Sequence, residues 1–319
     1  MPSEPPIVVV VGPTAVGKSA LALRLARTVG AEIVNADALQ VYRGLDIGTA
    51  KPTPAERRAV PHHLVDILEP AERFSAGEFA RRARASIAEI RGRGRLPLVV
   101  GGSGFYVRAL VEGLSPLPPA DAVLREALRR RAAEEGSAAL HAELARLDPE
   151  AAARLPPADA QRVVRALEVV LASGVPLSRW IARQPAGQTP LPAVKIGLTL
   201  PRSILYDHIG ARVARMLERG WIGEVERLLA RGVDPAAPAF QAIGYRQIVR
   251  ALATAGHPGA ALDEAGLDEA VFDSIVQATR RFAKRQMTWF RGEPEVRWFD
   301  PRRLSEDDSE VLELVRSVL

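Results

Sequence analysis

The 319-residue sequence predicts an α/β protein in which a parallel sheet wound with helices is interrupted by an all-helical insertion. Three observations predict it. Short apolar runs rich in β-branched residues alternate with helical stretches in the first third of the chain, as strands buried on both faces do. The first run leads directly into GPTAVGKSA (Gly12 to Ala20), a glycine-rich loop that opens a helix. A proline cluster then ends the alternation, the chain turns helical, and one further strand-like run, Val194 to Leu200, precedes more helix.

IVVVV (Ile7 to Val11) reads as the first strand. In the loop after it, Gly12, four residues, then Gly17-Lys18-Ser19 fit the P-loop pattern, so Gly12, Pro13, Thr14, Ala15, Val16, Gly17, Lys18 and Ser19 should wrap a phosphate. Backbone N–H groups point at the anion, Lys18 adds a positive charge, Ser19 offers an oxygen to a magnesium ion, and the helix contributes its dipole. SALALRLARTVG is the helix, stopped by Gly30, and AEIVNAD (Ala31 to Asp37) is a second strand. Ser75 and Glu78 have capping-box spacing ahead of the next helix, and LPLVVGG (Leu96 to Gly102) is a third strand. In such a sheet ligands bind at the carboxyl ends of the strands, which puts the P-loop, Asp37 and Gly101 to Gly104 on one edge.

LSPLPPAD (Leu114 to Asp121) marks the boundary of the insertion. The expected organisation is a P-loop NTPase-like core whose first part is 1–114, a helical insertion over 115–193, and completion of the core with C-terminal helices over 194–319. Within the insertion, DAQRVVRALEVVLASG has Asp159 as N-cap, Val163, Leu167, Val170 and Leu171 on one face, and Gly174 as stop.

Composition bounds the function. Lys and Arg number 43 against 38 Asp and Glu, a formal charge of +5 that permits a polyanionic partner without requiring one. The absence of cysteine excludes disulfides, thiolate zinc sites and a cysteine nucleophile. No apolar run approaches the roughly 18 residues that span a bilayer, and MPSEPP lacks signal-peptide features, so a cytoplasmic protein without a membrane partner is the expectation.

Several side chains carry candidate chemistry. Asp37, at a strand end, can act as a general base or hold a metal ion through water, or it can simply cap the following turn. An NTPase ordinarily ends a neighbouring strand in a metal-holding Asp; here the third strand ends in Gly-Gly, and Asp66 is the nearest substitute. The bound phosphate therefore need not belong to ATP. Arg212 falls within the stripe Leu205, Ile209, Met216 and needs an anion, either a structural carboxylate or a ligand phosphate. In TRRFAKRQMTWFRG, Arg281 with Arg285 and Arg280 with Lys284 lie four apart, while Phe282, Trp289 and Phe290 can anchor the helix inward; such a segment suits RNA, although a core-anchored helix has the same pattern.

Taken together, GPTAVGKS, DALQVYRGLDIGTAKP, PHHLVDI, PLVVGGSGFYVRALVEGL, DAQRVVRALEV, AIGYRQI and TRRFAKRQMTWFR make the chain resemble the tRNA dimethylallyltransferases over nearly its whole length. The resemblance implies a prenyl transferase that moves a dimethylallyl group from dimethylallyl diphosphate to N6 of adenosine 37, beside the anticodon of tRNA, with Mg²⁺ as cofactor and with the P-loop holding the leaving diphosphate. It implies catalytic roles for Asp37, Lys18 and Arg212, with Asp37 taking the N6 proton and Thr14 and Ser19 helping to neutralise the diphosphate. By the same resemblance Asp37, Ala38, Leu39 and Gln40 line the adenosine site, Ser103, Arg125, Gln161, Arg162, Val163, Val164 and Arg165 contact the tRNA, and the enzyme is a monomer. The chain departs from the family in Ala38, where Ser is common, in Ser103, where Thr is common, and in His208, where Arg is common. The alternatives are a small-molecule kinase using the P-loop for ATP, an enzyme that prenylates free adenine nucleotides, and a non-catalytic RNA-binding protein.

Overall fold

The computed structural model describes residues 4–182, 190–254, 269–305 and 308–318. The chain divides into two compact units, residues 1–111 with 191–319, and residues 112–190. These boundaries fall three residues before the expected 114 and 193.

The first unit carries β1 (Ile7–Val11), α1 (Lys18–Val29), β2 (Glu32–Asn35), α2 (Pro54–Ala59), β3 (His62–His63), α3 (Ala76–Gly92), β4 (Pro97–Val100) and α4 (Gly104–Val111). The second holds α5 (Ala122–Glu134), α6 (Ser137–Leu147), α7 (Pro149–Arg154), α8 (Ala160–Ser173) and α9 (Leu177–Ala182). The first unit resumes with β5 (Ala193–Leu198), α10 (Arg202–Glu218), α11 (Trp221–Ala230), α12 (Tyr245–Thr254), α13 (Glu269–Arg291), β6 (Val296–Phe299) and α14 (Ser309–Arg316).

All six strands are parallel, in the order β3-β2-β4-β1-β5-β6. The chain winds outward from β1 to β2 and β3, returns to β4, then crosses β1 to build β5 and β6. Winding therefore reverses at β1, and the P-loop leaves its carboxyl end, where α/β sheets place ligands. β1, β2 and β4 are buried throughout, which explains the unbroken apolar runs of β1 and β4, whereas β2 buries Glu32 and Asn35 beside Ile33 and Val34. The chain leaves for the insertion at Val111 and returns at Leu191, whose N–H donates to Val111 O at 2.8 Å.

Local expectations meet the structure in detail. Gly30 closes α1 with φ +68, and Asp159 and Gly174 bound α8. Ser75 accepts from Glu78 N, but the Glu78 carboxylate pairs with Arg81 and Arg82 instead of closing a capping box. Leu171, expected on the buried face of α8, is 45% exposed; Val163, Leu167 and Val170 are buried. β6 lies where the sequence reading expected mostly helix, and β3 was read only as a short packed segment. The helical unit has its own core, built on Leu128, Leu140, Leu144, Val163 and Leu167.

Candidate active site

The site is built within the first unit. At Gly12 the backbone takes φ +142 and a Cβ would lie 2.6 Å from Leu198 O, while Gly17 adopts φ +101 as it opens α1. These are backbone demands that a side chain could not meet. The first turn of α1 contains no acidic residue, so the positive end of its dipole is uncompensated. Lys18 Nζ donates to Pro13 O at 2.7 Å and Ser19 is exposed in the first turn.

One pocket gathers Thr14, Lys18, Ser19, Asp37, Gln40 and Arg212 with an apolar wall of Ala22, Leu23, Val100 and Phe282. Burial, then the like charge of Arg212, push the Lys18 ammonium down to about 7, with Asp37 pulling the other way. Burial also lowers Arg212, against the attraction of Asp37 and with the help of Arg215. Arg212 makes no salt bridge or hydrogen bond among the described residues, so the structural carboxylate considered from the sequence is absent. It also lines a second depression beside the P-loop with His208 and Arg215, which shares Lys18 and Ser19 with the first. Two cations crowded without a carboxylate partner form a site built for an anion.

Asp37 caps the turn that follows it and keeps one carboxylate oxygen free of that cap. Its Oδ1 accepts from Leu39 N at 2.8 Å and Gln40 N at 3.4 Å, which caps the turn; Oδ2 makes no hydrogen bond among the described residues. Asn35, unassigned from the sequence, orients this turn by accepting from Asp37 N at 3.2 Å and donating to Leu64 O at 3.1 Å. Ala38 and Leu39 are half-buried in the same turn. Gln40 reaches Thr49 O at 3.2 Å, tying the turn to a loop that also lines the pocket.

That loop has no regular structure of its own. Buried Glu224 holds it, accepting from the N–H groups of Asp46, Ile47 and Gly48 at 2.8, 2.7 and 3.3 Å and from the Tyr245 hydroxyl at 2.5 Å. Burial and the charge of Glu224 raise the Tyr245 pKa, so the hydroxyl remains a donor. Neither residue was singled out in the sequence, because the contact joins positions about 180 apart.

Asp66 does not replace the missing metal-holding carboxylate. It lies outside the pocket and pairs with Lys51 and Arg57, each at 2.6 Å. Ser103 is half-buried at the start of α4, where its carbonyl accepts from Tyr106 N. On α13, Arg281, Lys284 and Arg285 are exposed, Phe290 is buried and Phe282 faces the pocket. Trp289 is half-buried, with the Arg108 guanidinium 4.5 Å from its ring and Phe105 edge-on at 6.4 Å.

In the helical unit the expected RNA contacts separate into three kinds. Gln161 and Arg162 are exposed, Arg162 bonding Asp159 at 2.6 Å. Val163 and Val164 are buried in the unit's core, so their side chains face away from any ligand. Arg125 and Arg165 pair with buried Glu168 at 2.8 and 3.0 Å. Burial pushes the Glu168 carboxyl up, and the two arginines outweigh it and leave it below its ordinary value.

Two family descriptions match the chain, IPP transferase over residues 40–293 and isopentenyl transferase over residues 5–65. The tRNA dimethylallyltransferase of Syntrophobacter fumaroxidans is 48% identical over 295 residues, covering 92% of this chain and 83% of the relative. The full-length tRNA isopentenylpyrophosphate transferase of Bacillus halodurans superposes with a TM-score of 0.69 at 37% identity, covering 99% of this chain and 98% of that one. A eukaryotic dimethylallyltransferase acting on tRNA shares the fold, with a TM-score of 0.78 at 24% identity, over 99% of this chain and 78% of that one. The match of the family model over most of the chain, together with a relative 48% identical over 92% of it, shows that the chain belongs to the tRNA dimethylallyltransferase family of IPP transferases.

Proposed function

We infer that this chain transfers the dimethylallyl group of dimethylallyl diphosphate to N6 of adenosine 37 in tRNA. The observation that carries the reading is the pocket in which Lys18 and Arg212, without a carboxylate partner, face Asp37 with one carboxylate oxygen free. The diphosphate would lie against the P-loop amides, Lys18 and Arg212. As the C1–O bond breaks, its electron pair leaves with the diphosphate, and these groups stabilise the growing negative charge. The apolar wall of Ala22, Leu23 and Phe282 suits the hydrocarbon. Adenosine N6 attacks C1 from the opposite side, and Asp37 Oδ2 takes the N6 proton, making a weak nucleophile competent.

Ser19, at the helix start, and Asp37, one of the pocket's two carboxylates with Glu56, fit a magnesium ion held mainly by diphosphate oxygens and water. Such an ion would supply further charge neutralisation to the leaving group.

The exposed cations of α13 and Arg162 of α8 are placed to meet RNA phosphates without reading bases. Among the described residues no helix is long and apolar enough to cross a membrane; a tRNA acceptor suits a cytoplasmic enzyme. The kinase alternative loses its support in the relatives, and β4 ends in Gly101-Gly102 where a kinase-like site would place its metal-holding Asp.

Transfer of label from dimethylallyl diphosphate to an anticodon stem-loop with adenosine at position 37, with Mg²⁺ and without ATP, tests the reading. Label is expected on that RNA and not on the same RNA with guanosine there. ATP consumption on small nucleosides with no prenyl transfer would replace the reading with the kinase.

A further inference from the structure

The reaction outlined above leaves one buried polar side chain of the pocket unused. Gln286, on α13, is 6% exposed and bridges two loops: Oε1 accepts from Thr14 N at 2.8 Å and Nε2 donates to Gly102 O at 2.9 Å. The partners dictate the orientation of the amide. A backbone N–H only donates and a carbonyl only accepts, so a flipped amide loses both bonds. The approach also needs a glycine, because a Cβ on Gly102 would come within 2.2 Å of Nε2.

The two anchors belong to opposite sides of the reaction. Thr14 lies in the loop that wraps the diphosphate, while Gly102 precedes Ser103, on the side expected to meet the acceptor. Gln286 thus spans the gap across which the dimethylallyl group must pass. It also satisfies Thr14 N, so that amide is held by the protein and is not one of those free to face the leaving group.

We propose that Gln286 is a positioning residue that fixes the separation and angle between the P-loop and the Gly101–Ser103 loop for in-line transfer. The proposal rests on the transferase reading above. A buried amide with both ends bonded to backbone is stiff, and displacement of reacting groups by about 1 Å can cost on the order of a hundredfold in rate.

Gln286→Glu separates this role from packing. A protonated glutamic acid offers the same acceptor and donor as the amide, whereas an ionised one turns a carboxylate oxygen toward Gly102 O. At alkaline pH the variant is expected to turn over about tenfold to a hundredfold more slowly than wild type, with RNA affinity unchanged within about twofold. The ratio of variant to wild-type turnover should rise as pH falls and the carboxyl protonates. Gln286→Met keeps the volume without the bonds, and its ratio should stay low and flat with pH. In both variants inorganic pyrophosphate, measured by calorimetry at alkaline pH, should bind about fivefold or more weakly, since the P-loop loses its anchor.

Wild-type turnover in Gln286→Glu at alkaline pH, a pH-independent ratio, or unchanged pyrophosphate affinity in both variants would overturn the proposal. Failure of the wild-type protein to transfer label would break the transferase reading instead, and the pyrophosphate measurement would then decide the role of Gln286.

Discussion

Cations in the two units are treated in opposite ways. In the α/β unit Lys18 and Arg212 line one pocket without a salt bridge among the described residues, although burial and a neighbouring arginine disfavour each charge and only the attraction of Asp37 opposes this. In the helical unit Arg125 and Arg165, which the sequence marked for ligand contact, close on Glu168, whose side chain is only 1% exposed. The difference teaches how to read an arginine. One on an apolar stripe with no acid beside it is reserved for a ligand, whereas one that meets a buried glutamate is already committed to holding its own helices together.

The sharpest test of the pocket is Asp37→Asn, which keeps Oδ1 as acceptor for Leu39 N and removes the base. Turnover should fall by about two to four orders of magnitude with RNA affinity within a few-fold. Equal losses in both would make Asp37 a binding residue. Next, Arg212→Ala should raise the KM for dimethylallyl diphosphate by about ten- to a hundredfold while leaving the melting temperature unchanged or higher, because a disfavoured charge disappears. A clear drop in stability would break the contrast with Arg125.

Lys18 gives the comparison a pH axis. Its pKa in the free protein is about 7, and a bound diphosphate raises it, so binding takes up a proton once the pH exceeds that value. Pyrophosphate affinity should weaken as pH rises above neutrality, by up to about tenfold per unit, relative to Lys18→Met, in which this contribution is lost. Calorimetry in buffers of different ionisation enthalpy reads the proton directly.

The helical unit supplies the smaller effects. Arg125→Ala leaves Glu168 with one arginine and should cost about 2–3 kcal/mol in urea unfolding, short of the full loss of a buried pair. Exposed Arg162→Ala should leave stability nearly untouched, weaken RNA binding a few-fold and reduce the slope of log affinity against log salt by about one. Identical behaviour of these two variants would erase the distinction between structural and ligand-facing arginines.

Much of this was legible because its physics is local. β1, β2, β4 and β5 announce themselves as strand-like runs, and the P-loop is a contiguous motif whose glycines meet demands of their own backbone. β3 has two histidines and lies at the edge of the sheet, and β6 is an edge strand of VRWF with exposed positions; neither leaves a periodic signal. Glu224 and Gln286 escaped for another reason. Their partners lie up to 178 and 272 residues away, so only the closed fold gives their polar atoms a purpose. Val163 and Val164 show the reverse error, in which resemblance marked a whole helical run while helical periodicity sends part of it into the core.

The hydrogen bond from Leu191 to Val111 closes the two chain ends of the α/β unit into a socket, so the 79 residues of the second unit leave and return at one place. A short turn could bridge that socket without moving any strand, and a different helical cassette could be plugged into it.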